Sequence, residues 1–423
     1  FASDLLVMQG NGGTVAARSA AAEAAKTVMS GPASGVIAAA WTGRTAGQLD
    51  LITYDMGGTS TDVALIRGGA PEVSDELDLD YGMPIHVPMV DVHTIGAGGG
   101  SIARVDEAGL LQIGPESAGS VPGPIGYGRG GLRPTITDAN LLLGRLDPAG
   151  LLAVDRPADL AHLRALLSRT IGDPLGLDAE AAAAAILRVA NDRMAGAVRM
   201  VSLARGHDPR DYALFAFGGA GPLHASALAR ELGIPLVLIP PRPGLANAIG
   251  CVVADLRHDV TRTLNRPLEA CTPEDLASVL ASQITAGRNA IARSGATVEQ
   301  VTARHAADMQ FRGQTHLLTV PVTPDRLDAA SLRTAFERAY FDRFGIELPE
   351  IGAMLVNLKT SVLGRRPPID PTSLAPLPTT TDLAAARTGH RRVWFAQGWR
   401  STPIYRRDRL PPGLELEGPA ILE

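Results

Sequence analysis

Residues 54–63, YDMGGTSTDV, place an acidic side chain, two glycines and several hydroxyl groups between two apolar runs. Glycine lets backbone N–H groups approach a phosphate closely, and successive N–H groups form an anion-binding nest. The carboxylate of Asp55 can hold a divalent cation, directly or through water, so we predict that it is a catalytic residue and a metal ligand. The predicted phosphate-binding residues are Gly57, Gly58, Thr59 and Thr61. An ordinary hairpin whose glycines adopt positive φ explains the same residues equally well.

A second glycine turn, residues 215–224 (FAFGGAGPLH), follows an apolar run and precedes a helix with proline near its first turn. A nucleotide can lie flat on glycine backbone beside the N-terminus of a helix. The candidate binding residues here are Gly218, Gly219 and Gly221. Tight packing of a strand against a helix selects the same small residues, so both explanations stay open. We expect His224, on that helix, to be a cap or a core residue.

A third segment, residues 90–101 (VDVHTIGAGGGS), carries Asp91 and His93 on one face of a predicted strand. Two such side chains can hold a metal ion or contact a substrate, although an isolated Asp/His pair is more often structural. The glycine run that follows favours function, so both remain candidate catalytic residues. The run contains Gly98-x-Gly100-x-x-Ala103, but no convincing helix follows it, which argues against a dinucleotide-binding Rossmann unit.

Several well-known catalytic motifs are absent from the sequence. It has no G-x-x-x-x-G-K-[ST] phosphate loop, no H-E-x-x-H motif and no G-x-S-x-G nucleophile elbow. Its two cysteines, Cys251 and Cys271, are too few for a disulfide framework or a zinc cluster. Cys251 lies in an apolar stretch with Ile249 and Val252, so we expect an inert thiol in the core.

Composition narrows the class of protein further. The 423 residues include 39 basic and 44 acidic side chains, and the net charge of −5 argues against a dedicated nucleic-acid binder. The longest apolar runs, such as residues 234–239, are far too short to cross a membrane. The length predicts two to three domains. The chain begins at Phe1 without a charged leader, so we expect a cytoplasmic protein and treat this chain as part of a longer one.

The elements that must position these motifs alternate between strands and helices, which predicts an α/β fold. Two short strands, residues 51–55 and 62–67, flank a glycine turn and predict a β-hairpin. Residues 114–134 are rich in glycine and proline and predict an irregular loop. The other predicted helices are residues 14–29, 33–42, 137–144, 156–170, 178–205, 222–232, 244–255, 273–294 and 329–344, and the other predicted strands are 4–8, 212–217, 235–239, 300–311, 315–321 and 352–364.

Taken together, the motifs resemble those of one protein family. At YDMGGTSTDV the sequence resembles the hydantoinase A / 5-oxoprolinase / acetone carboxylase β-subunit family. The stretches VDVHTIGAGGGSIA, PGPIGYGRGG…PTITDANLLLGRL and FAFGGAGPLHA match that family in the same order, and MQGNGGT and SGPASGV fit as well. The resemblance covers most of the chain and is strongest over residues 1–265. Four long motifs in one order are far more specific than any single one.

This resemblance implies an actin-like ATPase fold, of the ribonuclease H-like type, over residues 1–265. An additional α/β region is expected at residues 266–365, followed by a linker and β-rich tail at residues 366–423. In the actin-like fold, two glycine hairpins bind the phosphates of ATP with Mg²⁺, and a later glycine turn holds the adenosine. By analogy, residues 55–62 form the second phosphate hairpin and residues 218–221 the adenosine turn.

Two departures from the family pattern are visible. Relatives carry two D-x-G-G-T hairpins, whereas this sequence has one, so the fold is expected to be incomplete at its N-terminus, with the first hairpin upstream of Phe1. Many relatives also have a cysteine where Gly126 stands, so a role that rests on that cysteine does not carry over.

The activity that the resemblance implies is ATP-dependent opening of cyclic amides such as hydantoins or 5-oxoproline. Phosphorylation of the carbonyl oxygen turns it into a leaving group and makes the carbon electrophilic. A second, B-type subunit is the expected partner, and self-association into a homo-oligomer stays open. Two alternatives remain, namely the β subunit of an acetone or ketone carboxylase and a catalytically silent module that binds nucleotide or a partner.

Overall fold

A computed structural model describes residues 5–74, 77–79, 83–85, 87–151, 154, 156, 158–374 and 382–423. The chain divides into two compact units. The first, which we call the long-strand unit, comprises Phe1–Ala33, Ser74–Met89 and Cys251–Pro368. The second, the glycine-turn unit, comprises Ser34–Val73, Val90–Gly250 and Ile369–Glu423.

Most strands are short, and three long ones lie in the second half of the chain. In chain order the strands are β1 Leu6–Met8, β2 Thr14–Ala16, β3 Leu51–Met56, β4 Thr61–Arg67, β5 Ala70–Pro71, β6 Val73–Ser74, β7 Leu77–Leu79, β8 Met83–Ile85, β9 Met89–Val90, β10 Val92–Ile95, β11 Ser101–Val105, β12 Leu111–Ser117, β13 Ala213–Phe217, β14 Leu236–Leu238, β15 Leu256–Pro267, β16 Gln300–Phe311, β17 Leu318–Val322, β18 Ala353–Arg365, β19 Arg387–Phe395, β20 Gly398–Tyr405 and β21 Ile421–Leu422.

The helices range from single turns to more than twenty residues. In chain order the α-helices are α1 Ala17–Ala22, α2 Ser30–Thr45, α3 Ile136–Leu142, α4 Leu160–Leu167, α5 Asp173–Leu175, α6 Ala179–Val201, α7 Gly221–Leu232, α8 Ala246–Val253, α9 Pro273–Arg293, α10 Ala329–Phe344, α11 Pro371–Leu374 and α12 Leu383–Ala386. Helices α6, α9 and α10 begin with polar N-cap residues, namely Asp178, Thr272 and Asp328. The side chain of each accepts a hydrogen bond from a backbone amide in the first turn. Within the described residues, no helix combines the length and apolar character that a membrane crossing requires.

The long-strand unit contains a six-stranded sheet in the order β1-β2-β15-β18-β16-β17. The four C-terminal strands pair antiparallel, and β2 joins β15 through Thr14 and Leu256. Side chains of α9 and α10, including Leu276 and Phe336, share a core with residues of these strands. The predicted helix over residues 14–29 is therefore wrong at its start, because strand pairing overrides the helix propensity of an alanine-rich run.

Contacts in the long-strand unit also cross the boundary that the sequence analysis places at residue 265. Strand β15 runs across the expected boundary at residue 265, and the N-terminal strands pair with it. The compact units therefore follow spatial neighbours rather than a single cut in the sequence. The assignment of residues 1–265 to an ATPase core stays a prediction.

The glycine-turn unit contains a sheet in the order β10-β4-β3-β13-β14, with β5 added beside β4. Strands β3, β13 and β14 are parallel, whereas β4 and β10 pair antiparallel with their neighbours. The predicted hairpin is confirmed, since Asp55 pairs with Asp62 across the turn. The apolar face of α6, including Ile186, Met194 and Val198, packs into the core of this unit. The alternation of strands and helices confirms a mixed α/β fold.

A separate three-stranded sheet, β19-β20-β21, covers part of the glycine-turn unit. The amide of Trp394 donates a 2.9 Å hydrogen bond to the carbonyl of Leu143, and its side chain packs against the core. The irregular loop predicted over residues 114–134 is wrong at its start, because β12 extends to Ser117. Residues 118–134 are largely irregular, with one short 3₁₀ turn at Ile125–Tyr127. This loop precedes α3, whose capping box is formed by Thr135 and Asp138.

Candidate functional site

Two glycine turns lie side by side in the glycine-turn unit, at the edge of the sheet where its parallel strands reach their carboxyl ends. Strands β3 and β13 are parallel and in register, so both end at this edge, followed by residues 57–60 and 218–220. The amide of Ala220 donates a 3.0 Å hydrogen bond to the carbonyl of Met56 and joins the two turns. Ligands of open α/β sheets bind at the carboxyl ends of the strands. The structure thus brings the first two predicted motifs together.

The glycine run of the third motif packs against the first turn. The amides of Gly99 and Gly100 donate to the carbonyls of Gly57 and Gly58, at 3.0 and 2.7 Å. A Cβ added to Gly98 would lie 2.5 Å from the nitrogen of Thr59, so only glycine allows this approach. The strand β11 follows the run, in agreement with the predicted absence of a Rossmann helix. The glycine run therefore packs against the backbone of the first turn and holds it in place.

Three glycines of the two turns are not required by the fold. Gly57, Gly58 and Gly219 have no positive φ, and an added Cβ would meet nothing closer than Ser60 O, at 3.9 Å from Gly57. The alternative explanation of a hairpin whose glycines supply positive φ is therefore wrong for the first turn. Side-chain-free backbone in open space is what the close approach of a ligand needs.

The other two glycines of the second turn have a packing role. Gly218 has a φ of +81°, and an added Cβ would overlap Asp55 Oδ1. A Cβ on Gly221 would lie 3.3 Å from the carbonyl oxygen of Tyr54. The packing explanation thus applies to Gly218 and Gly221, while Gly219 remains exposed and unhindered.

The amide of Gly57 donates a 3.0 Å hydrogen bond to the carbonyl of Ser60 within the first turn, whereas the next two amides differ. In the part of the chain that the structure describes, the amides of Gly58 and Thr59 donate no hydrogen bond, and both residues are exposed. Thr61 differs, because it is fully buried and its hydroxyl donates to Ala97 O at 2.5 Å. The predicted phosphate contact of Thr61 therefore does not fit its position, whereas Gly58 and Thr59 present accessible backbone amides, the donor type of which anion nests are made.

A row of four residues crosses the sheet beside the turns, in the order Phe217, Asp55, Asp62 and Thr94. Asp55 Oδ2 accepts a 3.1 Å hydrogen bond from Asn247 Nδ2, and Asp62 Oδ1 accepts one of 2.5 Å from Thr94. Burial raises the pKa of Asp55, and the neighbouring Asp62 raises it further, while the hydrogen bond from Asn247 acts in the opposite direction. Burial also raises the pKa of Asp62.

The donor set at this edge fits a hard cation such as Mg²⁺. Asp55 and Asp62 offer carboxylate oxygens, the ligand type that Mg²⁺ prefers. Among the described residues, no cluster of three or more His, Cys, Asp or Glu side chains is arranged for a metal. A Mg²⁺ ion here would therefore depend on phosphate oxygens and water for its remaining ligands, which is usual for this ion.

Sequence reasoning missed Asp62, Thr94 and Asn247. Asp62 had a local signal, because it lies in the quoted motif at the position that mirrors Asp55 across the turn. Asn247 had none, since it is 192 residues from Asp55 in the chain.

Asp91 and His93 do not lie at the glycine turns. In the pairing of β10 with β4, Ile95 lies beside Thr61 near the turn, and His93 is two residues further away, beside Val63. Asp91 forms an ion pair with Arg205, whose guanidinium also lies 3.5 Å from Glu72. The carboxylate of Asp91 is thus already partnered, and catalytic roles for Asp91 and His93 stay predictions.

His224 is a core residue, one of the two expected outcomes. It is fully buried, its Nδ1 lies 2.7 Å from Asn191 Oδ1, and its Nε2 lies 3.4 Å from Asn140 Nδ2. Burial, with a smaller contribution from the charge of Arg145, lowers the pKa of His224 to about 3. His224 is therefore neutral, with Nδ1 as donor and Nε2 as acceptor.

Two further positions bear on the sequence-based expectations. Cys251 is exposed, so its assignment to the core is wrong. The buried face of α8 is formed by Ala246 and Gly250, and Cys251 lies one residue beyond it, about 100° around the helix. At Gly126, an added Cβ would overlap the side chain of Leu141, and the amide donates a 2.8 Å hydrogen bond to Asp138. A side chain at this position therefore requires Leu141 to shift.

Comparison with known proteins gives matches along nearly the whole chain. The family model described as Hydantoinase/oxoprolinase matches residues 1–260, and that of the Hydantoinase/oxoprolinase C-terminal domain matches residues 272–423. Caprolactamase subunit alpha from Pseudomonas jessenii is 38% identical over 98% of this chain and 60% of its own length. A 5-oxoprolinase from Pestalotiopsis fici is 34% identical over 94% of this chain and 31% of its own length.

Solved structures agree with these matches. A crystal structure of the ATP-dependent caprolactamase from Pseudomonas jessenii aligns with a TM-score of 0.82 at 36% identity, over 98% of this chain and 61% of that one. A nucleotide-free acetone carboxylase structure aligns with a TM-score of 0.76 at 29% identity, over 100% of this chain and 61% of that one. The chain thus spans at most about three fifths of the length of these relatives.

Proposed function

Because the chain belongs to the hydantoinase/oxoprolinase family, we propose that it is the nucleotide-binding part of an A-type subunit that opens cyclic amides in an ATP-dependent reaction. The observation that carries this proposal is the pair of adjacent turns in which Gly57, Gly58 and Gly219 are required neither for a positive φ nor for packing. A bound nucleotide explains why these positions carry no side chain.

We also propose that the glycine-turn unit has an actin-like ATPase fold. Support comes from a glycine hairpin that lies beside a parallel strand ending at a second glycine turn, the arrangement expected for phosphate and adenosine binding. The roles follow by position: Gly58 and Thr59 bind phosphate, and Gly219 lies under the adenosine.

The proposed chemistry begins with nucleophilic attack of the amide carbonyl oxygen on the γ-phosphorus of ATP. A P–O bond to that oxygen forms, the bond to the β-phosphate breaks, and ADP leaves. A first water attacks the activated carbon and the ring C–N bond breaks, with the nitrogen taking a proton, so the ring opens to an acyl phosphate. A second water then hydrolyses the acyl phosphate to a carboxylate and inorganic phosphate. The amides of Gly58 and Thr59 stabilise the charge on the phosphate oxygens. Asp55 holds Mg²⁺, which when bound neutralises charge during phosphoryl transfer.

The ring substrate is proposed as a hydantoin-like, 5-oxoproline-like or related lactam, since one relative is named a caprolactamase and another a 5-oxoprolinase. A B-type subunit is the proposed partner, because the caprolactamase relative is named as one subunit of an enzyme. The similarity to acetone carboxylase supports a second candidate, in which the same activation of a carbonyl oxygen serves the carboxylation of a ketone.

An assay of the complete gene product with its partner subunit separates these candidates. ATP hydrolysis would be measured with hydantoin, 5-oxoproline, caprolactam, or acetone plus bicarbonate. We expect one cyclic amide to stimulate ATP hydrolysis, with one ring opened for each ATP that is hydrolysed. Asp55→Ala should abolish ATP hydrolysis and ring opening while the protein stays folded. Stimulation by acetone only with bicarbonate would select the carboxylase. Unchanged turnover in Asp55→Ala would remove Asp55 from the mechanism.

A further inference from the structure

We infer that Asn247 is a positioning residue for Asp55 and that a close helix contact at Gly35 holds Asn247 in place. This inference rests on the proposed function, because it assigns Asn247 a role in the Mg²⁺-dependent binding of ATP. All residues involved lie in the glycine-turn unit.

The contact itself is a hydrogen bond from Asn247 Nδ2 to Asp55 Oδ2, at 3.1 Å. Within the described residues, this is the one side-chain donor to the Asp55 carboxylate, and no basic side chain forms an ion pair with it. The other oxygen, Oδ1, lies against Gly218, where an added Cβ would overlap it. The carboxylate is thus held between an amide on one side and bare backbone on the other, which fixes its rotation.

The position of Asn247 depends on how closely helices α2 and α8 approach each other. A Cβ added to Gly250 would overlap the carbonyl oxygen of Ser34, so the two backbones are in direct contact there. Asn247 lies about one helical turn before Gly250 in α8. On α2, a Cβ added to Gly35 would lie 2.6 Å from the ring of Phe217 and 3.0 Å from Asn247 Oδ1. Gly35 therefore leaves just enough room for the Asn247 side chain beside Phe217.

A carboxylate that binds a cation loses affinity when its orientation is free, because the ordering cost is then incurred on binding. Asn247 removes that cost for Asp55. The amide of Asn247 is neutral, so it orients the carboxylate without competing with Mg²⁺. A lysine or arginine at the same position would compete, because its positive charge would pair with the carboxylate.

The test uses variants of the complete gene product and a Mg²⁺ titration at saturating ATP. Asn247→Leu keeps a branched side chain of similar shape but removes the donor. Gly35→Ala introduces a Cβ that would overlap the ring of Phe217 and crowd Asn247 Oδ1 at 3.0 Å, so the side chain of Asn247 has less room beside Asp55. Gly31→Ala is the matched control, because it lies in the same helix and an added Cβ would meet nothing within 4 Å. Thermal unfolding and ATP affinity without Mg²⁺ are measured in parallel.

We expect Asn247→Leu to weaken the apparent Mg²⁺ affinity on the order of tenfold, as for the loss of one hydrogen bond to a charged group. ATP affinity without Mg²⁺ should stay unchanged. Gly35→Ala should weaken Mg²⁺ affinity as well, and the double variant should be no worse than the weaker single one, because both act through the same contact. Gly31→Ala should match the wild type.

The failures of the two proposals are distinguishable. If wild-type protein binds Mg-ATP and Asn247→Leu binds Mg²⁺ with the same affinity, the inference is overturned and the proposed function stands. If Gly35→Ala and Asn247→Leu have additive effects, the part of the inference that concerns Gly35 is overturned. If wild-type protein shows no Mg²⁺-dependent binding of ATP, the proposed function is wrong and this inference falls with it.

Discussion

Asp308 in the long-strand unit and Asp55 in the glycine-turn unit are both carboxylates on sheets, yet their surroundings differ sharply. Asp308 is 4% exposed and forms a 2.7 Å ion pair with Lys359. It also accepts hydrogen bonds from Thr319 Oγ1, at 2.7 Å, and Asn357 Nδ2, at 2.8 Å. From the described part of the chain, Asp55 accepts one side-chain hydrogen bond, that of Asn247, and it lies beside another carboxylate, Asp62.

The difference separates a carboxylate that completes a structure from one that is available to a ligand. Around Asp308, a cation and two neutral donors satisfy both oxygens, as buried charges require. Among the residues that the structure describes, no basic side chain pairs with Asp55, and the nearby amides of Gly58 and Thr59 have no acceptor. A magnesium nucleotide would supply both the cation and the acceptors.

The largest expected effect is that the same change, aspartate to asparagine, lowers turnover at position 55 but lowers stability at position 308. Asp55→Asn should lower Mg-ATP turnover by roughly 100-fold or more, because a metal ligand is lost. Its melting temperature should not fall, because burial raises the pKa of Asp55 and a neutral side chain is easier to bury. Asp308→Asn should cost about 3 kcal/mol of stability, because Lys359 loses its buried carboxylate, with nucleotide affinity unchanged. Turnover assays and denaturant unfolding give the two readouts, and the same phenotype in both variants would contradict the comparison.

Neighbouring glycines in the second turn should behave in opposite ways. Gly218→Ala requires an alanine at a φ of +81° and an overlap with Asp55, so we expect a loss of about 2 to 3 kcal/mol in the free energy of unfolding. Gly219→Ala meets nothing within 4 Å, so stability should change by less than about 0.5 kcal/mol. Its nucleotide affinity should nevertheless fall about tenfold if adenosine lies on this backbone. Equal nucleotide affinity in wild type and Gly219→Ala would show that the adenosine does not lie on the backbone of Gly219.

Acid should weaken the protein through His224. Because the folded-state pKa is about 3 and the ordinary value is 6.5, protons bind preferentially to the unfolded chain between these values. Stability from this group is complete above pH 6.5 and is lost as the pH falls toward 3, by about 2 kcal/mol at pH 5. Unfolding of wild type and His224→Gln at pH 8 and pH 5 isolates this effect. A wild-type loss no larger than that of the variant would contradict the neutral assignment.

The two thiols provide the smallest and simplest contrast. Cys251 is exposed and Cys271 is buried, and burial raises the pKa of the Cys271 thiol. We expect a chromogenic thiol reagent to modify Cys251 rapidly in the native protein and Cys271 only after denaturation. Cys251→Ser should remove the fast phase, whereas a fast phase that persists would place the reactive thiol at Cys271.

The local parts of this architecture could be predicted from the sequence. The hairpin around Gly57 and Gly58, the strand before Gly218 and the long helices α6, α9 and α10 all follow from turn residues and apolar periodicity over short stretches. These signals lie within a single element or between neighbours in the chain. They therefore gave the fold class and the two turns of the candidate site.

The non-local parts could not be predicted in this way. The contact of Asn247 with Asp55, the ion pair of Asp91 with Arg205 and the pairing of Thr14 with Leu256 all join distant parts of the chain. Residue types alone do not reveal which of two glycines is needed for packing, as the contrast between Gly218 and Gly219 illustrates. The outward position of Cys251 depends on a helix face that is defined by two small residues.

Calorimetric titration of the complete gene product with Mg-ATP tests most directly whether the glycine turns bind nucleotide. Wild type and Gly58→Ala would be compared, with ADP and with ATP lacking Mg²⁺ as controls. An added Cβ on Gly58 meets nothing within 4 Å, so any loss of affinity in this variant comes from the ligand. The account predicts saturable, Mg²⁺-dependent binding to wild type that weakens at least about tenfold in Gly58→Ala, with an unchanged melting temperature. No binding to wild type, or equal binding to both proteins, would contradict it.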